Sequence, residues 1–452
     1  MFLIGGKCYI FKKIINIFKI IPLFFIITSL LFSQDLIEET KLVKVDSIKI
    51  SGNERTKDFV ILRELTFGVG DSVNNETLFL NRERIFSLGI FTKINLKFKQ
   101  KNGINSVVIL VEESWYIFPV PFIMVREKTL KRTSYGISLK YKNFRGRNET
   151  IRATASLGYD PFYSLEYENP LLIPSEEIAF YFAGAYGTPV NKSPTLEVQN
   201  GSEFDFNVIS INTTWGKRIN KENNFYISLG YSDIKAPTEV INSYMASGTS
   251  SDKTISTGLA YVYDSRDLRQ YARAGQYLAL NYLHNGLGSS EISYNTISFD
   301  ARNYREIYKS LLVKGQVNAR HTFGNYVPYY NYSRLGYGYY TRGNRYIVRE
   351  GNNRLLGSLE IAYPVLSEWN FSTDLPILPN SLTRTRIAVH AGFFIDAATV
   401  FDNGDKILLN NFDSGYGFGL TFLFLPYSSF RVEYAFNEMG KGELLIETGI
   451  SF

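Results

Sequence analysis

The residues that could carry catalysis or bind a metal are few and scattered in this sequence. It contains three histidines, His284, His321 and His390, and a single cysteine, Cys8. The histidines are too far apart in sequence for a zinc motif, and one cysteine cannot form a disulfide within the chain. The sequence shows no Ser/His/Asp arrangement and no pair of catalytic carboxylates that stands out. It therefore predicts a protein that is not an enzyme and that works without a metal or another cofactor.

The chemistry that the sequence does offer is charge recognition by arginine. The stretch YGYYTRGNRYIVREGNNRLLGSLEIAYPV, Tyr337 to Val365, places a glycine- and arginine-rich run around Arg342, between two segments that alternate apolar and polar residues. A guanidinium carries five donors and keeps its charge, so in a partly dry site it needs a carboxylate. In RIAVHAGFFID, alternation puts Asp396 on the polar face of its strand. This alternation alone leaves two interpretations open: Arg342 and Asp396 contact each other, or each contacts water or another charged group.

The elements that must position these side chains are strands. From residue 134 onward, as in GYGFGLTFLF, bulky apolar residues alternate with small or polar ones, and the chain contains 34 Phe, 32 Tyr and 35 Gly. We expect about sixteen such segments between 134 and 452, including 333–341 and ending with 441–452. Their length suits tilted membrane strands, and an even number suits a closed barrel, since hydrocarbon cannot satisfy a free edge. The predicted fold is a transmembrane antiparallel β-barrel of about 16 strands.

A different pattern precedes the barrel. Residues 43–113 read as strand, helix, helix, strand, strand, with the second helix starting at Asn74 or Asn75 and ending at Gly89. Such a segment can bury one face of a sheet under two helices. We therefore expect one small α+β domain at 43–113, joined to the barrel by a linker at 114–133.

The N-terminus has the pattern of an export signal. Lysines precede the apolar run IIPLFFIITSLLF, which small and polar residues follow. The run is shorter than the ~20 residues of a spanning helix, although an uncleaved anchor helix is the alternative. We expect residues 1–34 to be a signal peptide. The formal net charge of +6 is modest, with four lysines in the first nineteen residues, and gives no support to nucleic-acid binding.

Two passages of residues 43–113 resemble a POTRA domain, the periplasmic module of the BamA/TamA outer-membrane assembly superfamily. They are IKISGNERT, from Ile48 to Thr56, and RIFSLGIF, from Arg84 to Phe91. The resemblance implies that the domain receives client polypeptides as an extra strand at its sheet edge, through backbone hydrogen bonds. The alternative is a spacer that only holds the mouth of the barrel.

The barrel half is similar to the same superfamily. YDSRDLRQYARAGQYLALNY resembles its Asp-x-Arg-Asp segment, here Asp264, Arg266 and Asp267. Thr341-Arg342-Gly343 stands where the family has Val/Ile-Arg-Gly in the sixth extracellular loop. FIDAA, Phe394 to Ala398, resembles an aromatic-x-Asp-x-Gly strand motif, with Ala398 in place of the glycine. The resemblance implies that Arg342 and Asp396 contact each other and pin the loop, about 337–354, inside the barrel.

The end of the chain, ELLIETGISF, resembles the recognition signal in the last strand of outer-membrane barrels. Its final residue, Phe452, is aromatic and shares a strand face with Leu444, Ile446 and Ile450. The family usually has glycine five positions before that aromatic, and this chain has Glu447 there.

The function that the resemblance implies is outer-membrane protein assembly or insertion, or polypeptide translocation, in a Gram-negative-type bacterium. The POTRA domain would lie in the periplasm and deliver unfolded outer-membrane or secreted clients. The seam between the first and last strands, near 134–142 and 441–452, would act on them in contact with membrane lipid. Accessory assembly proteins are further candidate partners, and a single POTRA domain favours a specialised member. The alternatives are a two-partner-type secretion pore for a dedicated protein and a passive porin.

Overall fold

A computed structural model describes residues 42–125, 129–200, 203–289, 291–308, 310–324, 326–336, 338–376 and 378–452. The predicted signal peptide, residues 1–34, lies outside the described residues. Within the described ranges, none of the helices has the length and apolar character needed to cross a lipid bilayer.

The first described residues form a small α+β domain. Its elements are β1 (Val43–Lys44), β2 (Ser47–Ser51), α1 (Asp58–Leu62), β3 (Ser72–Val73), α2 (Asn75–Phe86), β4 (Phe91–Lys101) and β5 (Ile104–Glu113). β5 lies between β2, which runs parallel to it, and the antiparallel β4, and β1 pairs with β3. Of the two candidate starts of α2, Asn75 is the first helical residue and Asn74 is its cap: the Asn74 side chain accepts a hydrogen bond from the backbone N–H of Thr77 at 2.8 Å. The predicted α+β fold is confirmed.

The remaining strands follow the small domain along the chain. They are β6 (Ile117–Val125), β7 (Thr133–Phe144), β8 (Glu149–Gly158), β9 (Phe162–Ile173), β10 (Ile178–Gly187), β11 (Asn207–Arg218), β12 (Asn223–Lys235), β13 (Ser251–Asp264), β14 (Gly275–Asn285), β15 (Tyr294–Tyr308), β16 (Leu311–Gly324), β17 (Ser333–Leu335), β18 (Arg349–Gly351), β19 (Asn353–Ser372), β20 (Arg384–Phe401), β21 (Asp413–Leu425), β22 (Ser428–Asn437) and β23 (Gly442–Thr448). β17 and β18 pair with each other, and the other sixteen form one antiparallel sheet in chain order, with β16 beside β19.

Short helices lie in the connections. They are α3 (Pro194–Asn200), α4 (Ile241–Tyr244) and α5 (Asn380–Thr383), with 3-10 turns at Leu130–Arg132, Pro174–Glu176, Thr238–Val240, Tyr329–Asn331 and Leu409–Asn411.

The large sheet curls into a barrel with an apolar outer face. The Phe118 ring of β6 lies 5.9 Å from the ring of Tyr427, between β21 and β22, so the two ends of the sheet come together. On β7, Ile137 and Leu139 point outward and are 49% and 46% exposed, whereas Ser138 points inward and hydrogen-bonds across the sheet. An apolar outer band with a polar interior is the pattern of a membrane barrel. The predicted alternation and the sixteen strands are confirmed.

The structure corrects the assignment of two segments. Residues 117–125, expected in the linker 114–133, form the first barrel strand, β6, so the barrel begins before residue 134. The sequence IFPVPFIMV shows no apolar–polar alternation and contains two prolines, which together hide a strand from pattern analysis. Conversely, the strand expected at 333–341 is not part of the wall: among the described residues of that segment the only strand is β17, which lies in the loop between β16 and β19. The two errors cancel in the strand count.

The last strand is also shorter than expected. β23 ends at Thr448 rather than at Phe452, and Gly449 has a φ of +93°, a conformation that favours glycine and turns the chain away from the sheet. The two terminal strands of the sheet are therefore β6 and β23, and the seam involves 117–125 rather than 134–142.

Candidate functional site

The loop between β16 and β19 carries Arg342 against the inner wall of the barrel. Gly343 has a φ of +95°, and a Cβ at that position would lie 2.8 Å from the carbonyl group of Phe436 in β22. A Cβ on Gly415 of β21 would overlap the carbonyl oxygen of Arg342. The two glycines therefore permit a backbone-to-wall contact that larger residues would block.

Arg342 and Asp396 form a two-point ion pair. The Nε and Nη2 atoms of Arg342 each donate to one carboxylate oxygen of Asp396, both at 2.7 Å, and the Arg342 backbone N–H donates to the same group at 3.1 Å. The guanidinium also lies 3.6 Å from the ring centroid of Phe394 and 3.2 Å from the hydroxyl of Ser358. Arg342 is 5% exposed and Asp396 4%. The geometry thus brings together Arg342 and Asp396, as the family resemblance implied, and adds the ring of Phe394 to the contact.

Arg342 contacts further carboxylates that the motif comparison missed. Its Nη1 lies 2.9 Å from Glu433 and 3.5 Å from Glu360. Glu360 also binds Lys314 at 2.8 Å, and Arg431 bridges Glu433 at 2.9 Å and Glu447 at 2.7 Å. With Arg345, 3.6 Å from Glu447, these side chains form what we call the lumen charge cluster: the cations Arg342, Arg345, Lys314 and Arg431, and the anions Asp396, Glu360, Glu433 and Glu447. Four positive and four negative charges balance, as charges removed from water must, and Arg345 is the most exposed of the eight, with 38% of its side chain accessible.

The C-terminal residues after β23 enter the lumen and join this cluster. The Ser451 hydroxyl donates to Glu360 at 2.7 Å. Phe452 is buried, and its ring centroid lies 6.3 Å from that of Tyr304 in β15. The structure therefore places Phe452 inside the barrel, not on the face of the last strand that carries Leu444 and Ile446.

Asp264, Arg266 and Asp267 lie away from the lumen charge cluster, where they shape the turn between β13 and β14. The Arg266 Nε and Nη2 donate to the Asp264 carboxylate at 2.7 and 3.0 Å. Asp267 accepts from the backbone N–H groups of Arg273 and Ala274 at 3.0 and 3.2 Å. These bonds fix the path of residues 265–274, which we call the contact turn.

The contact turn joins the small domain to the lumen charge cluster. The Gln270 side chain donates to the backbone carbonyl of Phe86, at the end of α2, at 3.1 Å. The next residue, Tyr271, is buried, with its ring 4.5 Å from the His390 ring and 4.1 Å from the Lys314 amine. Because Lys314 pairs with Glu360, contacts run continuously from the small domain to the loop that carries Arg342.

Ion pairs hold the small domain against one end of the barrel. Glu83 of α2, which is fully buried, binds Arg386 of β20 at 2.8 Å. Glu64 binds Arg218 of β11 through two hydrogen bonds, at 2.8 and 3.1 Å. Apolar residues reinforce the contact, since Leu268 of the contact turn packs with the domain's own core. The domain is therefore docked against the barrel.

Docking should weaken in acid because of Glu64. Burial alone would raise its pKa, but the hydrogen bonds and charge of Arg218 outweigh burial and lower the pKa from 4.5 to about 2. Such a carboxylate stabilises the docked form above pH 4.5, and its contribution is lost as the pH falls from 4.5 through 2. We expect the distance between spin labels at Lys99 and Ser175, measured by pulsed EPR, to stay constant from about pH 7 to 5 and to broaden below that range. Glu64→Gln should reduce this change, and broadening already complete at pH 5 would contradict the assignment.

Sequence profiles of two families match the chain. The Omp85 superfamily domain matches residues 143–452, and the POTRA profile, described as a surface antigen variable number repeat, matches residues 43–114. No curated protein sequence matches the chain significantly.

Solved structures similar to this chain have the same architecture. BamA from Haemophilus ducreyi lacking POTRA domains 1-3 has a TM-score of 0.53 and 16% identity, over 90% of this chain and 84% of that one. CdiB from Acinetobacter baumannii has a TM-score of 0.51 and 13% identity, over 90% of this chain and 73% of that one. CdiB from Escherichia coli has a TM-score of 0.51 and 10% identity, over 93% and 92% of the two chains. At these identities the likeness shows a shared fold.

Proposed function

Because this chain belongs to the Omp85 superfamily, we propose that it inserts or translocates unfolded polypeptides at the outer membrane of a Gram-negative-type bacterium, with its POTRA domain in the periplasm. The observation that carries this proposal is the order of the large sheet, whose hydrogen-bonded sequence of strands ends at β6 on one side and at β23 on the other. A strand edge at membrane depth needs a hydrogen-bonding partner. An incoming client strand supplies one.

The POTRA domain offers a second edge to a client. Its three-stranded sheet has the order β2-β5-β4, and β4 lies on the side that contacts β20 of the barrel. β2 is therefore the edge available to an extended polypeptide, which would bind through backbone hydrogen bonds with little demand on its sequence. In this proposal the POTRA domain receives the client and the β6–β23 seam acts on it. Neither step needs ATP or a metal.

The contents of the lumen favour assembly at the seam over passage through the barrel. Three segments meet inside it: the loop that carries Arg342, the C-terminal residues around Ser451, and Tyr271 of the contact turn. All three would have to move before a chain could pass. Assembly at the seam requires only that a client strand enter between β6 and β23, so we place it before a dedicated secretion pore or a passive porin.

Depletion of the protein, followed by quantification of outer-membrane and secreted proteins, tests this proposal. We expect the levels of several β-barrels to fall while lipoproteins of the same membrane stay constant. Full-length protein should restore them, and a variant that lacks residues 43–113 should not. Loss of a single secreted protein with normal barrels would show dedicated secretion instead, and unchanged proteomes would refute both functions.

A further inference from the structure

The two strands that end the barrel sheet present different backbone groups at their outer edges. In an antiparallel pair, successive residues turn their N–H and C=O groups alternately toward and away from the neighbouring strand. The Lys142 backbone N–H donates to the Tyr116 carbonyl at 2.7 Å, which makes these two a hydrogen-bonded pair. The register continues along the two strands without a shift. Even-numbered residues of β6 therefore bond to β7, and odd-numbered residues point their backbone groups away from it.

Two consecutive outward positions of β6 are proline. Pro119 and Pro121 have no N–H, so the outer edge carries donors only at Ile117, Ile123 and Val125. The donor-free stretch from 117 to 123 spans roughly 20 Å at the usual rise of a strand. The same prolines cost nothing in the pairing with β7, because their missing donors lie on the other side.

The outer edge of β23 is complete. The Asn437 backbone N–H donates to the Lys441 carbonyl at 3.0 Å, which makes these two a hydrogen-bonded pair and determines which residues of β23 bond to β22. The residues of β23 whose backbone groups point away from β22 are Gly442, Leu444, Ile446 and Thr448. None of these four is proline, so each presents both a donor and an acceptor.

The two edges do not match. If β6 paired along β23, the β23 carbonyls opposite Pro119 and Pro121 would have no donor, and an unsatisfied group costs several kcal/mol in hydrocarbon. The side chains of β6 give independent support, since its inward residues are Phe118, Val120, Phe122 and Met124, whereas β7 turns serine and lysine inward. An apolar inner face suits contact with lipid or with an apolar chain better than a polar lumen.

From these edges we propose that an extended segment of the client pairs with the outer edge of β23, and that Pro119 and Pro121 keep β6 from pairing in its place. This inference rests on the proposed function and adds which side of the seam holds the client. A client strand with its full set of N–H groups satisfies the carbonyls of β23 that β6 cannot. Pairing of the client with the edge of β23 is therefore more favourable than pairing of β6 with that edge.

Two isoleucine-to-proline substitutions form a matched test. Ile446 of β23 and Ile123 of β6 are the same residue type, and each points its N–H away from its neighbouring strand. Full-length protein in liposomes is given a urea-denatured eight-stranded outer-membrane barrel, and the folded, heat-modifiable form is followed on gels. Ile446→Pro should lower the folding rate about tenfold, whereas Ile123→Pro should change it less than about twofold. Equal losses, or a larger loss for Ile123→Pro, would overturn the inference.

Photo-crosslinking locates the client directly and covers the case in which a proline variant misfolds. A photoreactive phenylalanine analogue at Leu444 should crosslink to the denatured barrel, and the same analogue at Ile123 should not. In the Pro119→Val/Pro121→Val variant, which restores two donors, we expect crosslinks to appear at Ile123. Crosslinks mainly at Ile123 in protein that keeps Pro119 and Pro121 would overturn this inference and leave the proposed function standing. If neither position crosslinks to the client and the protein does not accelerate client folding, the proposed function is overturned as well.

Discussion

Arg342→Ala should free the loop from the barrel wall. Of the two partners in the ion pair, Arg342 should cause the larger loss of activity when replaced by alanine. It leaves three cations facing four carboxylates in the lumen charge cluster, and removing one partner of a buried ion pair typically costs about 3 to 5 kcal/mol. Asp396→Ala should cost less, about 1 to 3 kcal/mol, because Arg342 keeps Glu433 and Glu360 as partners. Trypsin cleavage at Arg345 and Arg349, added from the loop side, measures release of the loop.

Three further variants make this prediction specific. Arg342→Lys keeps the charge without the planar fork and should give an intermediate loss of activity. Arg152→Ala breaks another inward pair, to Glu166 at 3.0 Å, but that pair is partly exposed and its loss should have little effect. The Arg342→Ala/Asp396→Ala double variant should be no worse than Arg342→Ala, because it removes one of the uncompensated carboxylates. Strictly additive losses would show that the two residues act independently.

The sequence predicted the main pair of this site but not its full set of partners. Motif order connects Arg342 with Asp396, and alternation puts Asp396 on the polar face of its strand. Neither shows that Glu360 and Glu433 meet the same guanidinium, because that depends on the register of β19, β20 and β22 across the barrel. The alternation of side chains between the two faces of a strand can be read from the sequence of that strand, whereas the register between strands is set by turns and packing.

The errors in the fold have a similar physical origin. Alternation identifies a strand whose two faces meet different solvents, and β6 is apolar on both faces, so it was assigned to the linker. Alternation predicts the wrong position for Phe452 because the chain leaves β23 at Gly449, and side chains beyond that residue no longer alternate across the sheet. Both departures lie at the seam, where the regular pattern of the barrel wall is interrupted. Local sequence rules are expected to fail where function imposes other constraints, which agrees with the role proposed for the seam.

Glu83→Ala should undock the POTRA domain and open the end of the barrel that it covers. The Glu83 carboxylate is fully buried and Arg386, its partner at 2.8 Å, is 7% exposed. Among the described residues, the substitution leaves the buried guanidinium with the more distant Glu368 at 3.5 Å and with the Phe86 ring at 3.9 Å. The expected cost to docking is about 3 to 5 kcal/mol, comparable to the whole stabilisation of many weak interfaces. We expect broadened distances between spin labels on the domain and barrel at neutral pH, and increased ion conductance of the protein in planar bilayers.

Glu112→Ala is the matched control for this prediction. Glu112 binds Arg384 at the same 2.8 Å distance and at the same interface, but both side chains are 37% exposed. An exposed pair contributes about 0 to 1 kcal/mol, so docking and conductance should stay close to those of the unmodified protein. If both glutamate variants undock the domain equally, burial does not decide the strength of the contact. If Glu83→Ala leaves distances and conductance unchanged, apolar packing of Leu268 and the contact turn holds the domain instead, and client delivery cannot depend on release of the Glu83–Arg386 pair.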